Sequence, residues 1–175
     1  IPLRRQRQMC IRDRAKSIKD LVINSDILIT CLPSPKICAE VLESKDGIID
    51  TIQKDQIWIE MSTTEDEQLK KHASLIQQKN AIALEAPVSG GCHRAATGNI
   101  SIFVGGSREG FDKAMPVLKC LGRKILYTGD FGSASILKVI TNYLATVHLV
   151  ALGEAWTIAS LSLIHISEPT RQHAI

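Results

Sequence analysis

The sequence predicts an α/β fold, a mainly parallel sheet followed by the start of a long helix, and three observations predict it. Short Ile-rich runs bounded by proline or polar residues alternate with segments of helical period. The order strand, helix, strand is what a parallel sheet with right-handed crossovers requires. Past Gly129 the alternation stops, and apolar residues dominate from about Ser133 to Ser160.

The elements follow in chain order. DILITCLP (Asp26–Pro33) and QIWIEMST (Gln56–Thr63) read as buried strands. Pro35 is placed to open a helix over Lys36 to Glu43, because its missing N–H costs nothing in a first turn. Ser62 or Thr63 is placed to cap a helix from about Glu65 to Gln78, which has acidic residues in its first turn. AIALEAPVSG and NISIFVGG are two further strands, a helix follows from about Arg108 to Leu121, and KILYTG is the last strand. The long helix after Gly132 carries Lys138, Asn142, His148 and Glu154 at intervals. A membrane span needs roughly 20 apolar residues with few or no charges, so the expectation is a buried helix of a soluble protein.

The ends do not resemble the middle. Leu161 to Ile166 can be written CTG TCT CTT ATA CAC ATC, and the reverse complement of that word, read from its second base, encodes Met9 to Asp13 and begins Arg14. One DNA word in opposite senses thus accounts for both flanks, and it resembles a transposon-end adapter used in sequencing libraries. Residues 1–14 are therefore set apart as an artefactual or disordered arm and 161–175 as an artefactual tail. The remainder holds 15 basic and 16 acidic residues, a net charge of −1, so the apparent basicity of the whole chain belongs to the arm. Nothing in Ala15 to Ser160 interleaves basic and aromatic residues as a nucleic-acid surface would. The arm also lacks the apolar segment of a secretory signal.

The chain has 175 residues, 45% apolar and 22% charged, which is enough to bury a core. Its five cysteines form no C-x-x-C pair and no His-rich tract joins them, so they read as reduced thiols and no metal is expected.

In open parallel sheets ligands bind at the carboxyl ends of the strands, where loops present backbone N–H groups. Three such ends stand out: Leu32-Pro33, Ser62-Thr63 and the run from Pro87 to Gly91. Gly90-Gly91 lets main chain approach a ligand with no Cβ in the way, and Ser89 adds a hydroxyl, a combination that suits a carboxylate. A tight turn needing positive φ is the ordinary reason for a lone glycine pair, and the lysine and asparagine further along the chain are what favour a ligand. Lys138 and Asn142, four apart, share one helix face among apolar neighbours. Desolvation and the positive end of the helix dipole both push a lysine pKa down, toward proton exchange near neutral pH.

CLP, EMST, EAPVSGGCHRAATGNISIFVGG and GSASILKVITNYLATVHLVALGEA, in that order across Ala15 to Ser160, resemble the β-hydroxyacid dehydrogenases. The resemblance implies an incomplete Rossmann-type domain binding NAD or NADP over residues 15–131. Residues 132–160 would begin a helix leading to an all-helical domain that the chain lacks. It implies oxidation of a small β-hydroxyacid, similar to 3-hydroxyisobutyrate, to its semialdehyde, with Lys138 as acid/base and Asn142 holding substrate and lysine. Ser89, Gly90 and Gly91 would bind the substrate carboxylate, and Leu32, Pro33 and Thr63 would contact the cofactor. A homo-oligomer in the cytoplasm or mitochondrial matrix is implied for the whole protein. A reductase of tartronate or succinate semialdehyde, or an inactive paralogue that only binds NAD(P), would share these motifs. Three departures are visible. No G-x-G-x-x-G turn precedes Ala15, Glu60 stands where Asp is common, and Ile37 follows the Leu-Pro loop where a polar residue often sits.

Overall fold

The computed structural model describes residues 14–63 and 66–162. Residues 1–13, most of the arm, and 163–175, most of the tail, lie outside this range. The chain divides into two compact units, Ile1–Lys138 and Val139–Ile175.

In the first unit the order is α1 (Ile18–Ile23), β1 (Ile27–Thr30), α2 (Pro35–Glu43), α3 (Ile48–Thr51), β2 (Ile57–Glu60), α4 (Asp66–Gln78), β3 (Ile82–Glu85), β4 (Val88–Ser89), α5 (Gly91–Ala96), β5 (Ser101–Gly106), α6 (Arg108–Leu121) and β6 (Lys124–Gly129). The helix α7 (Ser133–Leu161) begins in it. Local chemistry accounts for the starts. Ser34 accepts a hydrogen bond from the Ile37 N–H with Pro35 in the first turn, and Ser107 accepts one from the Gly110 N–H. Each such cap stabilises its helix by about 1 kcal/mol.

The six strands form one sheet in the order β1-β2-β3-β5-β4, with β6 on the other side of β5. β1 to β3 are parallel, and so are β5 and β6. β5 runs antiparallel to both β3 and β4. The sheet is therefore mainly parallel, with a reversal in its middle that the alternating pattern did not announce. The run predicted as one strand, AIALEAPVSG, is divided between β3 and β4. Pro87 has no N–H to give the ladder, yet its carbonyl still accepts from Phe103 N–H at 3.0 Å, so the chain stays extended across the break.

Alternate residues leave opposite faces of each strand. Leu28, Trp58 and Ala83 pack with Val22, Leu42, Leu69 and Ile76 from α1, α2 and α4. Ile57, Ile59, Leu84, Ile102 and Val104 pack with Phe111, Ala114 and Leu118 of α6 on the other side. β1 is less buried than its composition predicts: Ile29 is 39% exposed, because among the described residues β1 has a neighbour only in β2.

The second unit, as far as it is described, is the remainder of α7. The expected burial of this helix is not met. Tyr143, Leu149, Leu152, Trp156 and Ile158 are each more than 60% exposed, and Ala134, near its start, is its one buried residue. No described segment covers these side chains. By length and composition α7 is long and apolar enough to cross a membrane, with mean hydropathy 1.5; Lys138, His148 and Glu154 recur along it.

Candidate functional site

The parallel register sets Thr30 of β1 beside Glu60 of β2, and Glu60 beside Glu85 of β3. Each is the last residue of its strand, so the loops after β1 and β2 leave the sheet at the edge where β3 passes into β4. Both carboxylates are buried, Glu60 at 1% and Glu85 at 0% exposure, and both are fully used.

Glu60 organises the first two loops. Its Oε2 accepts from the Thr30 hydroxyl at 2.7 Å, and Thr30 in turn accepts from Trp58 Nε1 at 2.9 Å. Its Oε1 accepts from the Ser62 N–H at 2.7 Å. The Ser62 hydroxyl accepts from the Leu32 N–H at 2.7 Å, and the Cys38 thiol lies 3.6 Å from the same oxygen. Burial pushes the Cys38 thiol pKa up, which keeps it protonated beside Ser62. The structure thus brings together the Leu32-Pro33 and Ser62-Thr63 loops, with Pro33 and Thr63 exposed.

One expectation is corrected here. The Leu32 N–H is not free for a ligand, because Ser62 has taken it, and Pro33 has no N–H at all. Ser62 likewise serves this loop link. The Leu32-Pro33 loop offers an apolar surface with Pro33 exposed, and the sequence contains no G-x-G-x-x-G turn of the kind that cradles a pyrophosphate.

Glu85 holds the beginning of α7. Its Oε1 accepts from the N–H groups of Gly132 at 2.8 Å and Ala134 at 2.7 Å, and its Oε2 accepts from the Ser135 hydroxyl. A carboxylate is well suited to a helix N-terminus, where N–H groups lack partners and the dipole is positive. Gly105, paired with Glu85 on β5, leaves the room: a Cβ there would collide with Glu85 Oε1. Lys138 follows in the second turn, half-buried, and burial lowers its pKa from the ordinary 10.5.

Ser89, half-buried, ends β4, and Gly90 and Gly91 are exposed. Gly90 has φ 135° and Gly91 φ 68°, so both need the conformational freedom of glycine. A Cβ on Gly91 would meet no atom within 4 Å, so its backbone angle is the reason for glycine there. Gly91–Ala96 folds into the short helix α5. Asn142 is exposed, in the second unit.

Glu85 and the Thr30–Glu60 pair were not singled out by sequence reasoning as site builders. Their signal is an acidic residue ending an apolar strand in both IWIE and IALE.

A parallel sheet whose adjacent strand ends carry joined loops, followed by a helix anchored at that same edge, defines a Rossmann-type dinucleotide-binding domain. The family described as the NAD binding domain of 6-phosphogluconate dehydrogenase matches residues 5–129, starting within the basic arm, and the chain belongs to this family, on its β-hydroxyacid dehydrogenase branch. Rat mitochondrial 3-hydroxyisobutyrate dehydrogenase is 33% identical over 141 residues, covering 81% of this chain and 42% of the rat protein. The 2-(hydroxymethyl)glutarate dehydrogenase of Eubacterium barkeri is 32% identical over 131 residues, 75% of this chain and 44% of that protein. The structure of Mycobacterium tuberculosis 3-hydroxyisobutyrate dehydrogenase with L-serine superposes with a TM-score of 0.77 at 28% identity, over 83% of this chain and 49% of that one. The chain spans less than half the length of these three relatives.

Proposed function

We propose that the chain is part of an NAD- or NADP-dependent dehydrogenase that oxidises a small β-hydroxyacid to its semialdehyde. A bound nicotinamide would supply the acceptor for the hydride leaving the hydroxyl-bearing carbon. Lys138 takes the hydroxyl proton, which must leave for the carbonyl to form. Ser89 donates its hydroxyl, and the Gly90-Gly91 main chain its N–H groups, to the substrate carboxylate. Asn142 holds substrate and lysine, as the family resemblance implies. Leu32, Pro33 and Thr63 lie against the cofactor.

One observation carries this reading: the lysine of the matching motif has its pKa lowered by burial, on a helix whose first turn is held by a buried carboxylate. An exposed lysine would be almost fully protonated at neutral pH and a poor proton acceptor. The relatives named above are called after 3-hydroxyisobutyrate and 2-(hydroxymethyl)glutarate, both of which carry a hydroxymethyl group beside a carboxylate. The whole protein is read as a homo-oligomer of the cytoplasm or mitochondrial matrix.

The test is a spectrophotometric assay of NAD and NADP reduction by the longer coding sequence with a panel of β-hydroxyacids. Turnover of at least one, strongly lowered by Lys138→Ala, is expected; no turnover of any would overturn the reading. The 175-residue chain, which has no G-x-G-x-x-G turn, is expected to bind either dinucleotide more weakly than micromolar by calorimetry.

A further inference from the structure

Helices α1, α2 and α4 cover one sheet face over β1 to β3, and the part of that face over β4 to β6 is bare enough to leave Leu126 51% exposed. There Ser89 of β4 pairs with Ser101 of β5, and Ser101 with Lys124 of β6. Paired residues on adjacent strands share a face, so the three form one row. Beside the row is a cavity of about 160 Å³ lined by Arg94, Asn99, Ser101, Arg123 and Lys124.

Three of these five side chains are cationic, the other two are neutral hydrogen-bonding groups, and no carboxylate lines the cavity. The ion pairs of the described residues all lie elsewhere. Cations converging on one cavity repel, and an anion among them removes that cost. Arg94 also ties the cavity to the Ser89-Gly90-Gly91 turn. A Cβ on Gly90 would lie 2.9 Å from Arg94 Cδ and 3.1 Å from its Cβ, so the bare Gly90 is what seats the arginine stem over the turn.

We propose that the substrate carries a second carboxylate, and that Arg94, Arg123 and Lys124 bind it while the first lies on Ser89-Gly90-Gly91. This rests on reading that turn as the carboxylate site. Two strand spacings separate Ser89 from Lys124, roughly 10 Å between Cα atoms. A short diacid covers that distance once the arginine and lysine side chains have their length, and a monoacid does not.

The experiment is an NMR amide titration of the 175-residue chain with butyrate, glutarate and inorganic phosphate as probes. Butyrate should shift the amides of Ser89, Gly90 and Gly91. Glutarate should shift these and those of Ser101, Arg123 and Lys124, binding about tenfold more tightly, as one added charge-assisted contact implies. Arg123→Gln and Lys124→Gln, both on the surface, should each remove most of that advantage and leave butyrate unchanged. If butyrate binds the turn and glutarate gains nothing, the second anchor is wrong and the dehydrogenase reading stands. If phosphate shifts the pocket amides while glutarate gains nothing, the cavity is a free-anion site and the proposal is equally overturned. If butyrate leaves the turn unshifted, the carboxylate reading of the turn itself fails.

Discussion

At the scale of single residues, the sharpest distinction is between a lysine that exchanges a proton and one that only attracts an anion. Burial lowers the Lys138 pKa by disfavouring the ammonium. The neutral amine therefore appears at lower pH than for a free lysine, and kcat/KM should rise as pH rises through that lowered value and level off above it. In the longer enzyme Lys138→Ala is expected to lower kcat by about 10²–10⁴-fold, the usual contribution of a positioned acid/base. Lys138→Arg should fail almost as badly, since arginine keeps the charge but cannot release a proton near neutral pH. Near-full turnover by the arginine variant would make Lys138 a binding cation. Ser89→Ala should instead raise KM and leave the pH profile of kcat in place, as loss of one carboxylate donor would.

At the scale of elements, the connection that matters most is Glu85 at the end of β3 to the start of α7. Glu85→Ala leaves the Gly132 and Ala134 N–H groups and the Ser135 hydroxyl without their acceptor, each worth about 1–3 kcal/mol when buried. Hydrogen exchange at Ala134 to Lys138 should then rise well before exchange in β1 to β3. Equal acceleration everywhere would show that Glu85 supports the core and not the helix. Gly105→Ala should have the same local effect through a different cause, by pushing the carboxylate away from its donors. A second link fastens α4 to the end of α2. Glu43 Oε1 lies 2.9 Å from both Lys71 Nζ and His72 Nε2, and these hydrogen bonds hold its carboxyl pKa below the ordinary 4.5. A depressed carboxylate pKa adds stability above the unfolded value and loses it as pH falls through the folded one. Wild type should therefore be more stable than Glu43→Gln at pH 7, with the gap closing below about pH 4.5 in denaturant melts. Because Glu43 is exposed, the gap should be small.

At the scale of the whole molecule, α7 leaves large apolar side chains in solvent, and exposed apolar surface of that kind associates. Sedimentation velocity should show the 175-residue chain self-associating with rising concentration, while a variant ending at Lys138 stays monomeric. A monomeric full chain at high concentration would refute this. Much of the molecule is legible in the sequence for plain reasons. Short Ile-rich runs between proline and polar residues read as strands of a layered sheet, Ser34-Pro35 and Ser107 carry their own capping chemistry, and GSASILKVITN places Lys138 in the second turn of a helix. These features are local, set by propensity, period and the missing N–H of proline. Tertiary structure alone decided the rest. The antiparallel run of β5 follows from pairing with partners 12 to 22 residues away in sequence, which no periodicity encodes. The joining of the Leu32 and Ser62 loops, the capture of the α7 N-terminus by Glu85, and the gathering of Arg94, Arg123 and Lys124 each need residues brought from different elements. A buried carboxylate is stable only where donors converge on it, and sequence shows the carboxylate but not the donors.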